Sequence, residues 1–248
     1  MLGDVRSMKN QRERTMDNIW IQLDIENYSF FALAKGIIPK TEYSVRPYPC
    51  SGELLQPKME QLREKAIPQF YYVSNKEEQD ILSGIWSPDI NYGHDKMPYG
   101  FYFVDLPLKY MENYFQSWFC NKQVDALVRP YYVSSNGLVI FNKRLLVTAV
   151  FIILHEYGHY LDYKRLGSKE KYCQWTYNAK KQFREYEDEL TKLSTKQIIT
   201  AEQLNRRDEL YRLCEDEHSA DLYALDNLDS KINEALHQIS NGLFTYQY

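Results

Sequence analysis

The clearest pattern of hydrophobic and polar positions along the chain begins near residue 131. Residues 131–134 and 138–141 are largely apolar, and they flank Asn136-Gly137. Asn-Gly between apolar runs favours a tight hairpin turn, because both central positions of that turn need a positive φ. We therefore predict a β-hairpin here, with 138–141 as its second strand.

Apolar positions with helical spacing follow the predicted hairpin. A long apolar segment begins at Asn142 and reaches about Lys164, and Gly167 is a suitable helix stop. Residues 168–193 then carry a single apolar stripe at spacings of three and four, with Lys, Arg and Glu on the other face. This spacing predicts one continuous surface helix, packed on one side.

Two more helices are expected toward the end of the sequence. Thr200 is a helix-capping residue, and Gln203 completes a capping box with it. We expect the helix that begins there to run to about residue 225 and a last helix to cover about 230–240. Residues 1–130 show no comparable pattern, and most of the prolines lie there. We therefore divide the chain into a region 1–130 of unassigned role and a core over 131–248.

Composition and charge place the chain among folded globular proteins. Its 248 residues are 44% hydrophobic and 26% charged, which excludes wholesale disorder. A net charge of -4 and a pI of about 5.8 argue against a nucleic-acid binder or a polybasic membrane binder. The longest apolar run, 145–154, is too short to span a membrane, and the polar N-terminus is unlike a signal peptide. We expect a soluble, cytoplasmic protein without membrane insertion, although export without a signal stays open.

The string His155-Glu156-Tyr157-Gly158-His159 carries the strongest chemical signal, since it fits H-E-x-x-H late in a predicted helix. Residues i and i+4 lie on the same helix face, so both imidazoles can reach one metal ion. Zinc binds neutral imidazole nitrogens well. Glu156 lies beside that face and could accept a proton from a zinc-bound water.

A catalytic zinc usually has three protein ligands, so a third must come from elsewhere in the chain. Glu217 and Asp221 are spaced i, i+4 on a predicted helix. Glu217 is the preferred third ligand, and Asp221 could hold the distal ring nitrogen of a ligand histidine. Ala220 is small enough to let this helix approach the first closely. His218 is the rival ligand, but it points about 100° away from Glu217 around the helix.

These motifs together resemble the gluzincin metallopeptidases. HEYGH is followed, 58 residues after its last histidine, by the E-x-x-A-D that starts at Glu217, and the most similar patterns are those of the minigluzincins, the ImmA/IrrE-like proteases and the CAAX-protease group. In that family the two histidines and the downstream glutamate bind zinc, the HExxH glutamate is the general base, and the aspartate orients a ligand histidine. The resemblance implies these roles for His155, His159, Glu217, Glu156 and Asp221 respectively.

The resemblance covers about residues 131–227 and departs from each named group in some respect. The lack of membrane spans disfavours the CAAX-protease group, and the ImmA/IrrE-like proteins usually carry the motif earlier in the chain. The charged segment 168–193 makes the insert between the motifs long. Strand 138–141 resembles the family's edge strand, which pairs with an extended substrate by main-chain hydrogen bonds. The likeness therefore supports the clan and no particular family within it.

Several other side chains are of types that occur at such sites. Tyr223, His218 and His237 could stabilise the oxyanion by residue type only. His94 is better explained as an exposed loop histidine than as part of a cleft. Cys50 shows no sign of an inhibitory thiolate. Cys120 has neither that sign nor the sequence context of a peptide deformylase ligand.

The sequence thus predicts an α+β, zincin-like fold, in which a small, mostly antiparallel sheet packs on the HExxH helix and a helical subdomain follows. The predicted function is zinc-dependent hydrolysis of a peptide or protein substrate, with Glu156 as general base. The alternative is a proteolytically inactive, Zn2+-stabilised protein-interaction module, because the large N-terminal region shows no protease signature.

Overall fold

The structure is a computed structural model that describes ten segments of the chain. They are residues 24–41, 45–47, 84–87, 91–92, 95–96, 100–103, 105–111, 122–133, 137–194 and 198–245. Predictions made for His94, Cys50 and Cys120 lie outside these residues. Within the described segments, no helix has both the length and the apolarity that crossing a membrane requires.

The described segments contain seven α-helices, one short 3-10 helix and five short strands. The helices are α1 (Phe30–Ile37), α2 (Lys122–Tyr132), α3 (Phe141–Leu166), α4 (Lys169–Ala179), α5 (Lys181–Ser194), α6 (Ala201–Arg212) and α7 (Glu215–Thr245), with the 3-10 helix at Leu108–Met111. The strands are β1 (Val45–Pro47), β2 (Gly84–Ser87), β3 (Asn91–Tyr92), β4 (Asp95–Lys96) and β5 (Gly100–Phe103). β5 pairs in parallel with β1 and antiparallel with β2, and β3 pairs antiparallel with β4.

The predicted α+β class is wrong, because the part of the chain that the structure describes is mostly helical. The strands have two to four residues each, shorter than the five or six that are usual in sheets. The largest interface between elements joins α3 to α7. Helix-on-helix packing, rather than a sheet behind the HExxH helix, therefore forms most of the architecture.

The predicted hairpin is also wrong. Helix α2 continues to Tyr132 and α3 begins at Phe141, so only an isolated bridge between Val133 and Val139 remains. Gly137 does have the positive φ of 82° that the turn signal indicated. However, Leu138, Val139 and Phe141 are 64%, 46% and 40% exposed. A two-stranded hairpin that buries so little is marginal, and the flanking helices prevail.

Two local predictions about helix ends are confirmed. The long apolar segment is α3, and Gly167 ends it in the left-handed conformation with φ 77° while its N–H donates to the Tyr163 carbonyl. Thr200 caps α6, and the reciprocal hydrogen bonds of a capping box with Gln203 are present. Both signals depend on residues within one turn of each other, which explains why the sequence suffices for them.

Helix continuity was predicted less well. The segment 168–193 is two helices that meet at Lys180, since an apolar stripe can continue across a single turn residue. The helix from Thr200 ends at Arg212, and α7 then runs without a break over the polar residues near 226–230. Leu228 and Ile232 are buried on either side of that polar stretch, and their packing keeps α7 continuous.

Helix α3 lies at the centre of the core, which explains its nearly uniform apolar character. Its residues from Leu145 to Tyr160 are buried. They pack with α1, α2, α7 and β2. Phe101 on β5 stacks on Tyr157 at 5.9 Å between ring centroids, so residues before and after position 130 share one core. The second half of α3 therefore holds its polar side chains in a dry environment.

Candidate metal centre

Helix α3 places both histidines of HExxH inside the protein. His155 is 2% exposed, and Glu156 and His159 are each 9% exposed. Spacing of four residues puts the two imidazoles one turn apart on the same face, with ring centroids at 4.6 Å. Buried imidazoles and a buried carboxylate are costly unless they find partners.

The first turns of α7 supply these partners at a close crossing of the two helices. A Cβ atom at Gly158 would lie 2.8 Å from the Cα of Ala220, closer than side chains tolerate. Glycine on α3 and alanine on α7 therefore let the two backbones approach closely. Glu217 and Asp221 lie one turn apart on α7 and on either side of Ala220, and both are buried. The close crossing brings both carboxylates to the histidines.

Three donor atoms converge at this crossing. The Nε2 atoms of His155 and His159 are 3.1 Å apart. Oε2 of Glu217 lies 3.3 Å from Nε2 of His155 and 3.8 Å from Nε2 of His159. These three residues are the one group among the described residues whose ligand atoms lie close enough together to hold a metal ion.

The distances in this group fit a small cation. Bonds of 2.0–2.2 Å at tetrahedral angles place neighbouring ligand atoms about 3.3–3.6 Å apart. One of the three observed distances lies in that range, one is slightly shorter and one is slightly longer. Two imidazole nitrogens and a carboxylate oxygen all present lone pairs to the same small space, which only a proton or a cation can satisfy. The donor set therefore fits a metal ion.

His155 is held from its far side by Asp221. Nδ1 of His155 lies 2.8 Å from Oδ1 of Asp221, and Nη1 of Arg212 lies 3.3 Å from the same oxygen. Burial alone would lower the pKa of His155, but hydrogen bonds to Asp221 and Glu217 outweigh it and raise the pKa to about 9. With a metal ion at Nε2, the same Asp221 contact places the ring proton on Nδ1.

His159 has a contrasting environment. Its Nδ1 atom is buried and has no hydrogen-bond partner among the described residues. Burial, followed by the charge of His155, lowers the pKa of His159 to about 3. This imidazole is therefore neutral at ordinary pH, which is the form that a metal ion requires.

Glu217 is surrounded by groups that the sequence did not indicate. Nζ of Lys180 lies 2.7 Å from its Oε1 atom, and Nη1 of Arg212 lies 3.8 Å from Oε2. Tyr211 also lies near this carboxylate, since burial and the charge of Glu217 raise the pKa of Tyr211 well above its usual value. Burial would raise the pKa of Glu217, but the hydrogen bond with His155 and the nearby positive charges hold it well below its usual range.

No motif could have identified these three residues. Lys180, Tyr211 and Arg212 lie 37, 6 and 5 positions before Glu217, in segments that resemble ordinary charged helix. The one available signal is the adjacency of Tyr211 and Arg212 to the end of α6, just before the acidic start of α7. Their contacts depend on how α4, α6 and α7 pack.

The structure brings some of the remaining candidates near the site and leaves others away from it. Burial is the main cause of the raised pKa values of Tyr172 and Tyr211, and the charge of nearby Glu156 adds to it. The side chain of His218 is exposed and lies outside the converging group. His237 is also exposed and lies 20 residues beyond Glu217, about 30 Å along α7.

Comparisons with known proteins identify no relative: no family model, curated protein or solved structure matches the chain. The likeness to gluzincins therefore depends on the sequence motifs alone.

Proposed function

We propose that the protein is a zinc-dependent metallopeptidase that cleaves a peptide or protein substrate. The observation that carries this proposal is the convergence of His155, His159 and Glu217 around one point, with Glu156 next to His155 in sequence. Two imidazoles and one carboxylate are a common catalytic zinc set, which keeps a fourth position for water or substrate. When bound, zinc supplies Lewis acidity that polarises a carbonyl and makes water easier to deprotonate.

Side chains of the protein would transfer the proton and orient the metal ligands. Glu156 takes a proton from the attacking water and passes it to the departing amine. Asp221 holds the Nδ1 proton of His155 and so keeps the lone pair of Nε2 directed to the metal position. The neutral His159 offers the second lone pair. The burial of these groups limits bulk water and strengthens their electrostatic interactions.

Substrate binding along 138–141 is not part of this proposal. These residues are not a strand, and Phe141 precedes His155 by 14 residues on the same helix, about 21 Å along its axis. Four extended residues span only about 13 Å, so the segment does not reach the histidines.

The test combines metal content with peptide digestion. Purified protein is expected to hold one zinc ion and to cleave members of a broad peptide library. Glu156→Gln should keep the zinc and lose about 10²–10⁴-fold in cleavage rate, since it removes the proton acceptor. Glu170→Gln, at an exposed position of α4, is the matched control and should cleave as wild type does. Equal cleavage by Glu156→Gln and wild type would refute the role of Glu156.

The second candidate function is a proteolytically inactive, zinc-stabilised protein-interaction module. The deep burial of the ligand group supports it, because His155 and Glu217 are each 2% exposed and a peptide would need access to them. This candidate predicts bound zinc and no cleavage of any library peptide. Loss of folding after zinc removal, without any hydrolysis by the zinc form, would favour it over the peptidase.

A further inference from the structure

We propose that Lys180 is a positioning residue for the metal ligand Glu217, brought to it by the break between α4 and α5. This inference rests on the metal site of the proposed function. It assigns a role to the long segment between the two motifs, which the resemblance to gluzincins leaves without one.

The two oxygens of Glu217 have different partners: Oε1 contacts Lys180, and Oε2 faces His155. Nζ of Lys180 lies 2.7 Å from Oε1, while Oε2 is the oxygen that faces Nε2 of His155 at 3.3 Å. A carboxylate is planar and rigid, so a strong hydrogen bond to one oxygen directs the other. Lys180 thereby makes Glu217 a ligand through a single oxygen.

A second contact fixes Lys180 itself. Its Nζ atom lies 3.2 Å from Oδ2 of Asp216, the residue before Glu217 on α7. The ammonium group also lies 5.0 Å from the centroid of the Tyr211 ring, within range of a cation–π interaction. Two carboxylates and one aromatic face therefore define its position.

The helix break explains how a charged surface segment reaches the site. Helix α4 ends at Ala179, Lys180 takes φ -88° and ψ 12°, and α5 starts at Lys181. The neighbouring Lys181 has a side chain that is 74% exposed, whereas that of Lys180 is 28% exposed. Adjacent lysines thus differ sharply in environment, and only Lys180 points to the carboxylates.

Two opposite effects on metal binding follow from this position. The positive charge of Lys180 repels a cation, so its removal would strengthen binding if charge alone mattered. Its removal would also leave Asp216 and Glu217, which are 1% and 2% exposed, without their shared counter-charge and would release Oε1. Loss of a residue that orients a metal ligand typically weakens binding about 10–100-fold. We expect the second effect to prevail, because the hydrogen bond is direct and its acceptor, Glu217, is buried.

The experiment measures Zn2+ and Co2+ affinity of the full chain by competition with a chromophoric chelator. Lys180→Met should bind both metals about 10–100-fold more weakly than wild type. Its Co2+ absorption spectrum should also change, because both oxygens of Glu217 become able to bind. Lys180→Arg keeps the charge and donors and should restore most of the affinity. Lys181→Met is the control and should match wild type in affinity and spectrum.

The outcomes separate this inference from the function on which it rests. If wild type binds metal and Lys180→Met binds it equally or more tightly, Lys180 does not position Glu217, and the metal site stands. If wild type binds neither metal, both proposals are wrong. Should Lys180→Met fail to fold, Lys180→Gln replaces it, since it removes the charged hydrogen bond to Oε1 of Glu217 but stays polar. An affinity and spectrum equal to wild type in that variant would overturn the positioning role of Lys180.

Discussion

His155 and Asp221 are 66 positions apart in the chain, yet Nδ1 of the histidine lies 2.8 Å from Oδ1 of the aspartate. Nη1 of Arg212 donates to the same oxygen at 3.3 Å, so this oxygen has two partners. A carboxylate on Nδ1 selects one tautomer and makes Nε2 a stronger electron donor. This contact connects the α7 helix to the face of α3 that carries the two histidines.

The contact can be tested with Asp221→Asn. We expect Zn2+ affinity to fall about 10–100-fold, because an amide lacks the charge that increases the basicity of His155. Affinity would be measured by competition with a chelator of known strength. Asp226→Asn, an exposed change on the same helix, is the control and should leave affinity unchanged. An affinity equal to wild type in Asp221→Asn would mean that Asp221 does not act on the ligand.

The choice of ligands can be tested by comparing two histidines. His159→Ala removes one of three converging donor atoms and should abolish stoichiometric zinc in elemental analysis. His218→Ala should retain zinc, because its exposed side chain lies outside the converging group. The reverse result would make His218 the ligand and would contradict the geometry at Glu217.

The close crossing of α3 and α7 predicts a stability change in Gly158→Ala. The new methyl group would lie 2.8 Å from the Cα of Ala220, so the helices must separate. We expect a loss of about 1–3 kcal/mol in the free energy of unfolding, measured by urea denaturation. Ala220→Gly in the same chain should not restore stability, since the backbone atom remains. Full restoration would show that the side chain of Ala220 alone causes the clash.

The two buried histidines predict opposite pH dependences in the metal-free protein. The pKa of His155 is raised from 6.5 to about 9, so its stabilising contribution is complete below pH 6.5 and is lost as pH rises toward 9. The pKa of His159 is lowered from 6.5 to about 3, so its contribution is present above pH 6.5 and is lost as pH falls toward 3. Together they predict greatest stability near pH 6.5.

The free energy of unfolding can be measured by urea denaturation between about pH 3 and pH 9, with a chelator present to keep the protein metal-free. Comparison with His155→Gln separates the contribution of His155 from that of His159. The variant should lack the decline in the free energy of unfolding between pH 6.5 and pH 9. His218→Ala should keep the wild-type profile, since its side chain is exposed. A wild-type stability that rises from pH 6.5 to pH 9, relative to His155→Gln, would contradict the raised pKa of His155.

Motifs within one or two helical turns were predictable because helix geometry is local. The spacing of His155 and His159 places them on one face wherever the helix lies, and the end of α3 at Gly167 follows from the conformational freedom of glycine. The capping box at Thr200 is equally local. Local signals failed at 131–141, where Asn136-Gly137 indicated a hairpin but the neighbouring helices determined the path of the chain.

The sequence by itself determined the two-histidine face, the nearby Glu156 and Ala220 as a small residue that allows a close helix crossing. Only the tertiary structure decided that the fold is mostly helical and which groups surround Glu217. Lys180 reaches that carboxylate from 37 positions away because a helix breaks there and because α4 and α7 pack together. Such contacts depend on how many side chains from distant parts of the sequence pack together, and a local sequence pattern does not contain that information.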